Sequence, residues 1–353
     1  MKRIAVFGLG TVGALVALLL HEGGFEVIGY DLAAPRAPPS FRVAQADTED
    51  PAALAAALAD VDAVVSCLPH HLNLAVARAA HGACIHYFDL TEDVATTRAI
   101  VELSRTAKRL MAPQCGLAPG FVGIVGAAQI ACFDRCRSCR LRVGALPQNP
   151  TGLMGYAFNW SPEGVVNEYL NDCEVIEHGE RKWVSAMEWH ETLYIDGIAL
   201  EAFTTSGGLG TMCETYHGRV DNIDYKSIRY PGHMRLMNFY FHELLMRERR
   251  QEAGDILVNA KPPVDLDVVF VHVASEGTIE GRLQRKEFVR AYRPMDIAGE
   301  RRRAIAWTTS ASVVAVVEMV RDGKLSARGF LRQEDIPLAQ LLATRTGSLY
   351  GAE

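Results

Sequence analysis

A glycine-spaced turn supplies the first recognisable chemistry in this chain. Ile4-Ala5-Val6-Phe7 runs into Gly8-Leu9-Gly10-Thr11-Val12-Gly13, an apolar stretch opens behind it, and Asp31 closes a second apolar run that starts at Glu26. In such a turn Gly8 permits the tight bend after a strand, Gly10 leaves room for a pyrophosphate against the backbone, and Gly13 lets the next helix pack closely. The helix start then offers its N–H groups, with Leu9, Thr11 and Val12 beside them, to phosphate oxygens. Asp31 stands about 20 residues past Gly8, where a carboxylate accepts hydrogen bonds from ribose hydroxyls and repels a 2′-phosphate. NAD is the expected cofactor and NADP the less favoured one; Arg36 is the residue that could turn onto a phosphate instead.

Other segments should meet the rest of such a cofactor and a substrate. Asp47, after the third strand, is placed for the adenine edge, and Ser66-Cys67-Leu68-Pro69, after the fourth, for the nicotinamide ribose, because ligands in such sheets lie beyond the carboxyl ends of strands. Gly116, in Cys115-Gly116-Leu117-Ala118-Pro119-Gly120, falls at the cofactor's reactive end; Cys115 reads as packing. Tyr225-Lys226-Ser227-Ile228-Arg229-Tyr230-Pro231-Gly232-His233, if extended, puts Lys226 on one face and Arg229 on the other. Arg229 is the expected receptor for a substrate carboxylate, which a guanidinium binds bidentately. Thr205 and Ser206 are expected donors to that carboxylate, with a glycine bulge at Gly207-Gly208 as the bland alternative. Asn159 and Trp160 shape a substrate pocket or, for Trp160, a core.

These segments resemble the saccharopine dehydrogenase family and, within it, the lysine 6-dehydrogenases. The likeness runs through the N-terminal turn, Phe88-Asp89-Leu90, Gly116-Leu117-Ala118-Pro119-Gly120, Leu200-Glu201-Ala202-Phe203 with Thr205-Ser206-Gly207-Gly208, and Lys226 to His233. Saccharopine reductases typically have aspartate where this chain has Ala118; Trp160-Ser161-Pro162 is closer to the reductase side. The resemblance implies hydride transfer at a carbon bearing nitrogen. For lysine, the ε-carbon would give hydride to NAD, and water would open the imine to 2-aminoadipate semialdehyde. The alternatives are a reductase that builds a secondary amine, as saccharopine, opine or carboxynorspermidine enzymes do, and, from another class, a non-catalytic NAD-binding regulator.

Oxidation of an amine needs the nitrogen neutral, hence a base working near pH 7 to 9. Asp89, Glu92, Lys226 and His233 are the candidates. Asp89 and Glu92 follow the fifth strand; the plainer reading is helix capping by Asp89 or Thr91. Lys226 has the like charge of Arg229 nearby to lower its pKa, or is a strand cation paired with Glu201 or Asp224. His233 is a base or a turn residue bonded to backbone.

Alternating strands and helices must position the first group of residues. Strands are expected at 3–7, 26–31, 41–46, 63–67, 84–89 and 109–112, with helices near 12–21, 52–59, 72–80 and 97–107. The expected fold is α/β, a Rossmann doubly wound parallel sheet, plus an α+β second domain with a largely antiparallel sheet. A dinucleotide-binding domain of residues 1–120, completed by 308–353, would frame a substrate-binding and dimerisation domain of residues 121–307. An amphipathic helix is expected over 237–252 and a buried one over 310–320.

At 353 residues the chain can bury two cores. Its net charge of −6 leaves no footprint for nucleic acid or an anionic membrane. No signal sequence is expected, so the reading is a cytoplasmic enzyme with an amino-acid substrate, no membrane or nucleic-acid partner, and a homodimeric state that covers open sheet edges. Cys132, Cys136 and Cys139 have a C-x3-C-x2-C spacing that zinc or a cluster could use, but no nearby cysteine or histidine pair completes a set, so no metal is expected.

Overall fold

The computed structural model describes residues 1–33 and 39–351, and the expected role of Arg36 lies outside them. The chain divides into two compact units, Met1–Ile124 with Ala306–Glu353, and Val125–Ile305.

The chain opens with β1 (Arg3–Phe7), α1 (Thr11–Glu22), β2 (Glu26–Asp31), β3 (Arg42–Gln45), α2 (Pro51–Leu58), β4 (Ala63–Ser66), α3 (His70–Ala83), β5 (His86–Asp89), α4 (Val94–Ser104), β6 (Leu110–Ala112) and α5 (Phe121–Ile130). β4, β5 and β6 are buried along their whole length, which explains their uninterrupted apolar runs: helices cover both faces of a parallel sheet. Ala5, Phe7, Val64, Val76, Tyr87, Ile100 and Met111 belong to its core. Asp50 caps α2, and Asp93 caps α4 by accepting the Thr96 N–H at 2.6 Å. The cap of α4 is thus neither Asp89 nor Thr91, because the helix starts later than those residues.

In the second unit β7 (Arg135–Pro147) is followed by α6 (Pro162–Leu170), β8 (Cys173–Glu177), β9 (Glu180–Val184), β10 (Glu191–Ile195), β11 (Ile198–Thr204), α7 (Met212–Tyr216), β12 (Asn222–Arg229), α8 (His233–Asn238), α9 (Arg250–Ala260), β13 (Asp267–Ile279), β14 (Arg282–Tyr292), β15 (Met295–Ile297) and β16 (Glu300–Arg302). The main sheet runs β10-β11-β12-β7-β13-β14, with β8 and β9 attached through β12. Its pairings are antiparallel except β12 with β7. α6, α8 and α9 supply Val165, Val166, Tyr169, Met237, Ala253 and Leu257 to a core shared with Phe203, Ile228 and Phe270 of the sheet.

The helix expected over 237–252 is broken. α8 passes into a π turn at Phe239–Glu243, in which the Leu244 N–H reaches back to the Phe239 carbonyl, and Leu245 turns left-handed at φ 56°. Burying Phe241 beside Met237 reproduces the helical spacing, but the π turn and Leu245 redirect the chain before α9. α6 was unmarked by periodicity; Ser161 accepts the Gly164 N–H at 3.0 Å and Pro162 occupies its first turn.

The chain then returns to the first unit through α10 (Ala304–Arg321), β17 (Gly329–Phe330) and α11 (Leu338–Leu342). β17 pairs in parallel with β6 and completes a sheet of order β17-β6-β5-β4-β1-β2-β3. The order reverses between β1 and β4, so their carboxyl ends flank a crevice of the kind nucleotides enter. Of the described helices, α10 alone is long and apolar enough to cross a membrane, and 83% of it is buried inside the protein.

Candidate active site

The turn after β1 has the shape of a phosphate cradle. Gly8 sits at φ 82°, and a Cβ there would lie 2.8 Å from the Cys67 carbonyl oxygen. A Cβ on Gly13 would lie 1.7 Å from the Gly8 carbonyl oxygen, so α1 can approach the strand only with glycine there. A Cβ on Gly10 would meet nothing within 4 Å, which leaves the cradle open on that side. Gly10 is the N-cap of α1 and brings no capping side chain, leaving first-turn N–H groups of Thr11 and Val12 for an anion. Asp31 ends β2 and accepts the Leu9 N–H at 2.6 Å and the Ala33 N–H at 3.1 Å, so the acid and the glycine turn are tied together. These features fit a dinucleotide.

Around the cradle, Asp47 is exposed and accepts the Glu49 N–H at 2.9 Å. Ser66 is buried and bonded to Asn73 at 2.7 Å; Leu68 packs on the core and Pro69 starts α3. Burial, with the charge of Asp89 behind it, pushes the Cys67 thiol up to about 12, so it stays protonated. Gly116 bridges to Gly120 across the Pro119 turn.

Asp89 ends β5 with no solvent exposure. Its Oδ2 accepts Tyr87 Oη at 2.6 Å, and its Oδ1 accepts the N–H groups of Thr91 at 3.0 Å and Gln114 at 2.9 Å. Desolvation outweighs those hydrogen bonds and pushes its carboxyl up to about 6. Glu92 follows in the same loop, half-buried, and desolvation raises its carboxyl as well, with the charge of His70 working the other way. Asp89 is enclosed by donors, while Glu92 keeps access to solvent.

In the second unit, parity along β12 places Lys226 and Arg229 on opposite faces of the sheet. Lys226 Nζ bonds Glu191 at 2.9 Å, and Glu191 also pairs with Arg142, whose other partner is Asp224 at 2.6 Å. The acid that Lys226 bonds is therefore Glu191 of β10; Asp224 acts on it through its charge, and Glu201 is engaged elsewhere, at Gly232 and Met234. Burial lowers its pKa and the neighbouring like charge that adds to this is Arg142, not Arg229.

Arg229 is buried at 2% exposure. Its Nε donates to Tyr169 Oη at 2.6 Å and its Nη1 to the Ile228 carbonyl at 2.8 Å, with its guanidinium 4.8 Å from the Tyr156 ring centroid. His233 lies behind Tyr169, with Nε2 3.0 Å from Tyr169 Oη and Nδ1 3.0 Å from the Met154 carbonyl. Desolvation, then the charge of Arg229, pushes its pKa down to about 3. A ring held neutral, with both nitrogens engaged, does not suit the base expected of His233. The helix that carries it is fixed by Glu201, which accepts the N–H groups of Gly232 at 2.9 Å and Met234 at 2.7 Å.

The remaining expected ligands lie in made bonds. Thr205 Oγ1 is 2.8 Å from Ser227 Oγ, and Ser206 Oγ donates to the Asp172 carbonyl at 2.9 Å. Asn159 accepts the Val264 N–H at 2.7 Å, tying its loop to the approach to β13. Trp160 Nε1 reaches Tyr156 Oη at 3.3 Å and so buttresses the ring beneath Arg229. Cys136 and Cys139 are buried thiols raised to about 11 and about 12, chiefly by desolvation, and Cys132 is exposed. Each sulfur lies against a backbone carbonyl.

Residues 4–115 match the profile of the saccharopine dehydrogenase NADP binding domain, and residues 116–347 that of the saccharopine dehydrogenase C-terminal domain. The chain belongs to the saccharopine dehydrogenase family. As a member it is a nicotinamide-dependent amino-acid dehydrogenase, with the glycine turn of β1 inside the nucleotide-binding match.

Solved structures share the fold. Apo saccharopine dehydrogenase (L-Glu forming) from Saccharomyces cerevisiae superimposes with a TM-score of 0.78 at 16% identity, over 99% of this chain and 98% of that one. An engineered D-amino acid dehydrogenase bound to NADP+ gives 0.53 at 13% identity, over 100% and 99%. DAP dehydrogenase of C. glutamicum in complex with DAP gives 0.52 at 11%, over 100% and 99%. At such identities the likeness speaks for the fold alone.

Three residues in contact with the candidate groups, or acting on them through charge, went unmarked by sequence reasoning. Tyr169 and Tyr156 read as core aromatics, since nothing local distinguishes a tyrosine that packs from one that holds an arginine. His70, whose charge bears on Glu92, sits at a helix start with no motif around it.

Proposed function

We propose that this protein oxidises an amino acid at a carbon–nitrogen bond with NAD, and that L-lysine, oxidised at its ε-carbon to 2-aminoadipate semialdehyde, is its substrate. The observation that carries the reading is Arg229: a buried guanidinium that donates to two neutral oxygens, the Tyr169 phenol and the Ile228 carbonyl, and feels the buried Glu168 carboxylate through its charge, an arrangement that suits its fork to a substrate carboxylate.

The glycine turn with Leu9, Thr11 and Val12 would hold the pyrophosphate, Asp31 the adenosine ribose and Asp47 the adenine edge; Ser66 to Pro69 and Gly116 would border the nicotinamide half. A bound nicotinamide supplies a hydride acceptor. Glu92 takes the proton from the substrate ammonium, its raised pKa bringing it closer to the range a base needs. Asp89 holds the Thr91 and Gln114 backbone and so positions the loop that carries Glu92. Arg229 receives the carboxylate, and Thr205, Ser206 and Asn159 border it. Lys226 serves the buried ion cluster. We read the cofactor as NAD because a 2′-phosphate would meet the Asp31 carboxylate; the reading departs from the NADP in the name of the matching profile.

The test is NADH formation at 340 nm over a panel of free amino acids and secondary-amine adducts, run in parallel with NADP. Lysine turnover with NAD is the expected result. Activity confined to adducts would move the function to the secondary-amine reductases.

A further inference from the structure

With the buried His233 ring held neutral by desolvation and by the neighbouring Arg229 charge, the hydrogen bonds around Arg229 admit one assignment of protons. Met154 offers a carbonyl, which can only accept, so His233 Nδ1 carries the proton. The ring is neutral, as its depressed pKa also requires, so Nε2 presents a lone pair and the bond to Tyr169 runs from the phenol to the imidazole. The remaining lone-pair side of Tyr169 Oη then faces Arg229 Nε, a donor in every protonation state. The sequence is Arg229 Nε–H to Tyr169 Oη–H to His233 Nε2, and His233 Nδ1–H to the Met154 carbonyl. Rings confine it: Phe203 stacks on His233 at an interplanar angle of 13°, and Tyr156 meets the imidazole edge-on with centroids 5.1 Å apart. Glu201 anchors the first turn of α8 at Gly232 and Met234, on either side of His233.

We infer that Tyr169 and His233 are positioning residues that fix the Nε edge of Arg229 with neutral acceptors, and thereby set the preference of the enzyme for substrates bearing a carboxylate. The inference rests on the reading of Arg229 as carboxylate receptor. Neutrality is the working property of the relay. An acid at position 169 or 233 would add a hydrogen-bonded carboxylate to the charge of Glu168 that already bears on Arg229, whereas a phenol and an imidazole orient the guanidinium without adding charge. No proton has to move along the relay during turnover.

The test compares lysine with 1,5-diaminopentane, which keeps both amines and lacks the carboxylate. The readout is the ratio of the two kcat/KM values in the full-length enzyme, with thermal melting to check folding. Tyr169→Phe removes the acceptor for Arg229 and is expected to lower the ratio about tenfold, equivalent to ~1.4 kcal/mol, through the KM for lysine and not through kcat. His233→Gln, whose side-chain carbonyl can still accept from Tyr169, is expected to hold the ratio within about twofold, while His233→Leu lowers it as Tyr169→Phe does. Arg229→Gln separates the two levels of the argument. A ratio lost in Arg229→Gln but kept in folded Tyr169→Phe and His233→Leu would overturn the relay and leave the carboxylate receptor standing. A ratio unchanged in Arg229→Gln would overturn both.

Discussion

Asp89 carries a carboxyl raised to about 6 in the folded chain against an ordinary 3.8, because desolvation exceeds the help of three hydrogen bonds. A raised acid pKa means that the protonated form is favoured by folding. Its stabilising contribution is complete below the unfolded value, near pH 4, and is lost as the pH climbs through 6. Asp89→Asn keeps an acceptor for Thr91 and Gln114 but cannot ionise. Relative to the parent, it should gain about 2–3 kcal/mol between pH 4 and pH 7.5, read from urea midpoints across that range. A constant difference at all pH values would show that Asp89 does not titrate there. At the other end of the crevice, Asp31→Ala should cut kcat/KM for NAD by about tenfold or more, the weight of a hydrogen bond to a charged group, and narrow the preference over NADP while leaving the KM for lysine unchanged. A preserved NAD preference would place cofactor choice elsewhere.

Strands and helices decide which of these residues can cooperate, and they mark where sequence reading stopped. The glycine turn, its strand and Asp31 were legible because backbone demands spaced by a few residues fix them. The opposite faces taken by Lys226 and Arg229 were legible for the same reason, since a strand alternates. Their partners were not: Glu191 is 35 residues from Lys226 and Tyr169 is 60 from Arg229, and only the assembled sheet brings them together. The break after α8 was hidden because Met237 and Phe241 keep helical spacing through a π turn. The ion cluster across β7, β10 and β12 should be a strut, not a catalytic group. Burial works to raise the Glu191 carboxyl, but Arg142 and Lys226 together outweigh it and hold it at about 2. Its contribution is present above pH 4.5 and lost as the pH falls through 2. Glu191→Gln leaves Arg142 and Lys226 to share Asp224 and should cost about 3 kcal/mol at pH 7, measured by chemical denaturation, with the penalty shrinking toward pH 2. A variant as stable as the parent at pH 7 would remove the strut from the account.

At the scale of the molecule, the proposed function assigns different residues to each unit. The first carries the cradle, Asp31 and the acidic loop after β5; the second carries the buried arginine and the aromatic shell around it. The parallel sheet was readable from alternation alone, while β17 was too short to leave a pattern and was fixed only by pairing with β6. The measurement that bears most directly on the proposed function is the fate of the hydride. With NAD and lysine deuterated at its ε-carbon, the account predicts NADH that carries one deuterium and a product trapped as 2-aminoadipate semialdehyde. Lysine consumed with unlabelled NADH would place oxidation at another carbon, and labelled lysine left intact with NAD bound would contradict lysine as the substrate.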